Sequence, residues 1–283
     1  MPTISLQKTA GYEARPHDAS YEDIFQPISP ARWQGKTPPR RQWMVENAFL
    51  KGTVALVSGD GGIGKSLIMQ QLCSCAAIGR SWLGLSVMPG RAMMIACEDD
   101  HDELWRRQWS ICRHLERDMD DFAEGGLILA PRVGQDNALC RLDRSDWRMR
   151  PTPLFRAIAE HCKRLGVTFL VIDTATQTFD GNQNDERMVM MFITELRKLA
   201  IWLQGVVILT KHPSLAGRAS GSGESGNVAW SNSVRSRWYL HKHQAHGLVF
   251  ETRKSNYGPS DLMVRLSYSG GVFVPVDPLG QPL

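Results

Sequence analysis

The chain of 283 residues carries 33 Lys and Arg against 29 Asp and Glu, a net charge of +4, with 42% hydrophobic and 22% charged residues. That length buries a sizeable core as one large domain or one domain with additions, and the composition excludes a disordered or fibrous chain. No apolar run approaches the ~18 residues of a membrane span, and Glu13, Asp18, Glu22 and Asp23 are wrong for a signal peptide, so a cytoplasmic setting without a membrane is expected.

Residues 1–42, rich in Pro and polar groups and closing in "ARWQGKTPPRR", read as an extended arm ahead of a domain over 43–283. From there strand and helix patterns alternate. "TVALVSG" (53–59) reads as a strand and 65–79 as a helix. "RAMMIAC" is a strand, and 101–118 a helix with Leu104, Ile111 and Leu115 on one face. "GLILAP" (126–131) is a strand, followed by a polar, Arg-bearing loop over 132–150. Then come a helix over 151–165, the strand "VTFLVID", a long helix over 186–204 and the strand "VVILTKH". Apolar runs separated by amphipathic helices describe an α/β fold, a mostly parallel sheet with helices on both faces.

After His212 the character changes. "PSLAGRASGSGESGN" is a Gly/Ser-rich loop, and a short helix follows near 227–236. "RWYLHKH", "GLVFETRKS", "LMVRLSY" and "GVFVPV" then read as four strands of a C-terminal antiparallel β extension at one sheet edge. The six cysteines are scattered without a C-x-x-C, mostly in apolar runs, and read as reduced structural thiols with no zinc site.

The chemistry concentrates in "SGDGGIGKSL". Residues Gly59, Asp60, Gly61, Gly62, Ile63, Gly64, Lys65 and Ser66 fit G-x-x-x-x-G-K-[ST] between a β-branched strand and an apolar helix that opens with Leu67. A phosphate chain needs many donors aimed at one small volume, and glycines let successive N–H groups turn toward it at a helix N-terminus. Lys65 then reaches the β- and γ-phosphates, and the Ser66 hydroxyl ligates Mg²⁺. "VTFLVID" runs into Asp173, an acid at the carboxyl end of a buried strand, where it suits the Walker B role on Mg²⁺. Glu98 ends the strand after the phosphate-loop helix and points into the same crevice as a candidate catalytic acid. Asp99, Asp100, Asp102 and Glu103 read instead as acids of a helix first turn.

Taken in order, "SGDGGIGKS", "ACEDD", "LVIDT", "ILTKHPS", "NSVRSRWYL" and "RKSNYG" resemble RecA-type ATPases, in particular the RepA-type hexameric replicative helicases of plasmids and their phage and chromosomal relatives. The resemblance covers roughly residues 43–275. It implies a RecA-like core, ATP and Mg²⁺ as cofactors, and a homo-oligomeric, hexameric ring on single-stranded DNA. It implies that Glu98 activates water and that His212 senses the γ-phosphate and relays its state toward the DNA. Arg235 would be an arginine finger inserted into a neighbour's site, with Arg237 as the alternative, and Lys254 a second cation approaching that γ-phosphate. The DNA would be held by 174–185 and 213–227, in which Arg218 is the one basic residue and Phe179 the one aromatic. Should a protein with 217–225 shortened still respond fully to single-stranded DNA, the Arg-rich stretch 141–150 is the alternative place for nucleic acid; a primase or initiator would be a separate chain. A RecA- or RadA-like recombination ATPase and a nucleotide-switched binding protein without unwinding are the alternatives.

Overall fold

The computed structural model describes residues 26–223 and 227–283 and divides the chain into two units, Met1–Arg40 and Arg41–Leu283. The division falls after Arg40, against residue 42 in the sequence reading. In the first unit the described residues are exposed and hold one 3-10 turn, Pro30–Trp33, whose N-cap is Ser29. Residues 1–25 of the expected arm lie outside the described residues.

The second unit opens with a hairpin of β1 (Trp43–Val45) and β2 (Phe49–Leu50), which the sequence reading did not include. Every residue of β3 (Thr53–Gly59) is buried, because the strand is covered on both faces. Alternate side chains leave for opposite sides: Ala55 and Val57 join one hydrophobic cluster, Val54 and Leu56 the other. β4 (Arg91–Ala96) divides in the same way, with Met94 on the first side and Met93 and Ile95 on the second. β5 (Leu127–Pro131) follows at the sheet edge.

The helices Lys65–Ile78 and His101–Leu115 close the first cluster through Ile68, Leu72 and Ile111. Pro153–Leu165 and Glu186–Trp202 close the second through Ile158, Phe192 and Leu196. Asp100, Thr152 and Asp185 cap three of these helices, each side chain accepting a backbone N–H three residues on.

The expected loop over 132–150 contains a hairpin instead. β6 (Cys140–Asp143) and β7 (Arg148–Pro151) pair antiparallel, and Cys140, Leu142 and Met149 turn inward onto the second cluster. Their outward positions are Arg and Asp, and that polarity hid the alternation. The turn closes through Trp147 at φ +57°, a left-handed conformation that costs an L residue about 1–2 kcal/mol.

β8 (Val167–Asp173) and β10 (Val206–Lys211) lie in the middle of the main sheet, while β9 (Phe179–Asp180) adds to β6 in a separate three-stranded sheet. β11 (Ser236–His243), β12 (Gly247–Ser255), β13 (Met263–Ser269) and β14 (Val272–Pro275) complete the main sheet in the order β14-β13-β12-β11-β3-β10-β8-β4-β5. One detail of the expected extension is corrected. β11 runs parallel to β3, so it belongs to the parallel core, and only β12, β13 and β14 are antiparallel. Its residues Trp238 and Leu240 are fully buried against Phe250, which rewards placing β11 inside the sheet rather than at its edge.

Candidate active site

The adjacent strands β3, β10, β8 and β4 all end at one edge of the sheet, the place where open α/β sheets bind ligands. Their ends deliver the phosphate loop, His212, Asp173 and Glu98 to one cleft of about 640 Å³. Gly62, Ile63, Gly64, Lys65, Ser66 and Leu67 line it. Gly64 has φ +103°, and a Cβ there would sit 2.4 Å from the Phe273 ring, so this position admits glycine alone.

Lys65 is buried, and its Nζ donates to the Gly59 and Asp60 carbonyls, each at 2.9 Å. Gly59, Asp60 and Gly61 thus do not line the cleft; the first two brace the lysine from behind. The same Nζ lies 3.2 Å from His212 Nδ1, which accepts from it when the ring is neutral at that nitrogen. His212 is therefore in direct contact with the phosphate-loop cation. Next to it, Lys211 is buried, donates to Gln183 Oε1 at 2.6 Å and lies over the Trp230 ring; burial pushes its amine down to about 8.

Asp173 has no exposed surface. Burial raises its carboxyl above the ordinary range, opposed by the hydroxyls of Ser66 and Thr210. Thr210 Oγ1 donates to Oδ1, whereas the buried Oδ2 has no hydrogen-bond partner among the described residues. A buried carboxylate oxygen without a donor, beside a serine hydroxyl, fits a hard divalent cation such as Mg²⁺. Asp173 and Ser66 would hold that ion, and it would supply charge neutralisation between phosphate oxygens.

A raised carboxyl value has a stability consequence. A neutral Asp173 is favoured in the folded state, and that contribution is lost as pH rises through the raised value. Asp173→Asn stays neutral at every pH. It is expected to raise the melting temperature near neutral pH, with the gain shrinking under mild acid, while ATP hydrolysis is lost. Thermal melts at the two pH values check the sign.

Glu98 is exposed at the cleft wall, and Thr174 Oγ1 donates to its Oε1 at 3.3 Å. The Asp173–Thr174 peptide between the two acids is cis. The neighbouring Cys97 thiol is pushed up to about 12 by burial, so it stays protonated beside this chemistry.

Several residues at the cleft were not anticipated. Asp99, expected in the helix first turn, instead grips Arg107 in a bidentate pair at 2.6 and 2.9 Å, and both line the cleft. Asp100 is the N-cap, and Asp102 and Glu103 are the first-turn acids as expected. The signal was an acid followed eight residues later by an arginine that borders the helix's apolar stripe, three residues after Leu104 and four before Ile111. Tyr268 and Phe273, edge-to-face at 5.7 Å, line the cleft together with Leu248 and Lys242. These come from the C-terminal strands, which carry no motif. Arg107 and these two aromatic rings line the same cleft, and such groups suit a flat base.

Arg235 and Lys254 are not in this cleft. The Arg235 amide bonds Val54 O near the start of β3, whereas the phosphate loop leaves its far end. Arg235 is half-buried, with no side-chain hydrogen bond among the described residues, and lines a smaller cavity with Arg197. Lys254 Nζ donates to Ser231 and Asn232 carbonyls, and burial lowers its amine, as do Arg235, Arg237 and Arg197 nearby. Arg237 is buried and donates to Ser222 O, which leaves Arg235 the more accessible of the two.

Of the two expected DNA loops, 174–185 forms the short helix Ala175–Thr178 and then β9. Its aromatic, Phe179, is buried against Phe192 and Trp230, so it is unavailable for stacking. The loop over 213–227 contains the helix Leu215–Ala219; the Arg218 side chain and residues 224–226 lie outside the described residues.

A family profile described as "AAA domain" matches residues 21–218, most of the chain, and the chain belongs to that family. The match ends before Arg235, Lys254 and Tyr268. The fold is similar to that of a KaiC-like protein from the hyperthermophilic archaeon Pyrococcus horikoshii OT3, with a TM-score of 0.58 and 16% identity over 85% of this chain and 100% of that one. The architecture is that of a RecA-type P-loop core.

Proposed function

We propose that this AAA-domain P-loop ATPase is a ring-forming motor that translocates on single-stranded DNA, as a replicative helicase does. The observation that carries the reading is the placement of Arg235. It lies about five strand residues from the phosphate loop, roughly 17 Å along β3, so it serves the cleft of another copy or none. Head-to-tail contacts that bring one copy's Arg235 to the next copy's cleft are the kind that close into rings.

Within each cleft, Lys65 and the loop amides hold the phosphates, and Ser66 and Asp173 hold Mg²⁺. Glu98 accepts the proton of the attacking water. His212, touching Lys65, registers the γ-phosphate, while Lys211 passes strand movement to Gln183 of the 174–185 segment. The neighbour's Arg235, with Lys254 behind it, offsets charge on the transferring phosphoryl group.

The buried Phe179 favours a second reading, a nucleotide-switched binding protein that does not unwind DNA. ATPase rates with and without oligo-dT separate the two. A motor is stimulated by the oligonucleotide, and a switch is not. In the motor, Arg218→Ala or a shortened 217–225 segment is expected to remove the stimulation, and DNA affinity falls as salt rises because phosphate contacts release counterions.

A further inference from the structure

The hairpin β6–β7 is absorbed by none of these roles, and its tip is built unusually. Trp147 is 58% exposed there, at φ +57°, a position where hairpin turns favour Gly or Asn. The tip carboxylates are already engaged: Arg150 takes Asp143 at 2.9 Å and Asp146 at 2.6 Å. At the hairpin base, Arg141 takes Asp136 and Asp180. That leaves the two arginines on either side of Trp147 in sequence, Arg144 and Arg148. Arg144 has no ion pair among the described residues, and Arg148 is 69% exposed with only a 3.9 Å approach to the Asp146 that Arg150 holds.

The hairpin is also wired to the hydrolysis site. Cys140 and Arg141 pair with Phe179 and Asp180 of β9, the segment that leaves Asp173 through one helical turn. On its other side Met149 and Cys140 are anchored in the core, so the tip is a fixed projection.

We infer that Trp147, flanked by Arg144 and Arg148, is a single-stranded DNA contact in which the indole stacks on a base and the guanidiniums meet the adjoining phosphates. The inference rests on the motor reading, and it supplies the stacking group that the buried Phe179 does not. An exposed indole with an arginine before and after it along the hairpin turn matches the alternation of bases and phosphates along a strand. A duplex keeps its base faces stacked and offers the ring nothing comparable.

The test uses the full-length protein with a non-hydrolysable ATP analogue and fluorescein-labelled oligo-dT, read by anisotropy across a salt series. Trp147→Gly is expected to weaken binding roughly 5- to 150-fold. Its melting temperature should be unchanged or higher, since glycine adopts the left-handed turn without strain. Trp147→Phe, which retains a stacking face, is expected to recover most of the affinity. Replacing both Arg144 and Arg148 by Ala should flatten the slope of log affinity against log salt by about 1.4.

If Trp147→Gly binds as tightly as the unmodified chain, the hairpin assignment is overturned and the motor reading stands. If the unmodified chain does not bind oligo-dT at any salt, both fall together. Binding of anionic phospholipid vesicles in place of the oligonucleotide would also overturn the assignment.

Discussion

Lys65→Ala is expected to abolish hydrolysis and to weaken nucleotide binding together, whereas Glu98→Gln is expected to abolish hydrolysis and leave the nucleotide bound. The difference follows from what each side chain touches. Lys65 Nζ sits inside the loop, 2.9 Å from two of its carbonyls and 3.2 Å from His212 Nδ1. Alanine removes the cation carried by the phosphate loop itself and also the brace between that cation and the loop carbonyls. Glu98 lies at the cleft wall and contacts Thr174, not the loop. Glutamine keeps its size and one acceptor but cannot take a proton, and loss of a general base lowers rates by about 10²–10⁴. Titration with a fluorescent ATP analogue, followed by single-turnover hydrolysis, measures both quantities in each variant. Equal loss of nucleotide affinity in the two variants would sink the assignment of separate roles.

The parts of this site that were legible in the sequence are those that local chemistry dictates. A phosphate loop needs its glycines, its lysine and its serine at fixed spacing, and an acid ending a run such as "VTFLVID" stands out because the four residues before it are all apolar. The parallel core was legible for a related reason. Strands buried on both faces must be apolar through their middle, and residues 54–57 of β3, 169–172 of β8 and 206–209 of β10 are.

What stayed hidden depends on contacts between distant segments. The Asp99–Arg107 pair was obscured because four neighbouring acids share the explanation of a helix first turn. Tyr268 and Phe273 reach the cleft only because β12, β13 and β14 fold back beside β11, a register that no local pattern encodes. The parallel direction of β11 was hidden in the same way. A strand followed by a tight turn looks like half of a hairpin whichever neighbour it has on its other side. The β6–β7 hairpin was missed because its outward face is charged throughout, which resembles a solvated loop until Leu142 and Met149 are seen packing inward.

A mixture of two inactive proteins is expected to regain ATPase activity, and this is the most demanding consequence of placing Arg235 near the start of β3, away from the phosphate loop. An arginine finger contributes about 10³–10⁵ in rate, and one supplied in trans belongs to a different copy from the Glu98 it assists. Arg235→Ala and Glu98→Gln should therefore each be nearly inactive when pure. Mixed and allowed to reassemble, they create contacts at which an intact Glu98 meets an intact Arg235. For equal random mixing these are roughly a quarter of all contacts, because each head-to-tail contact draws its two faces independently. Activity should climb well above either parent, and mass photometry on the same sample establishes that mixed assemblies have formed. Unwinding is a separate readout, and it need not return if neighbouring sites fire in sequence. The guanidinium of Arg237 is buried and donates to Ser222 O, so the corresponding mixture with Arg237→Ala discriminates between the two candidates. Complementation by Arg237→Ala but not by Arg235→Ala would move the finger by two residues. Mixed assemblies that recover no activity with either variant would mean that neither Arg235 nor Arg237 acts in trans, and the ring would lose the physical argument on which it stands.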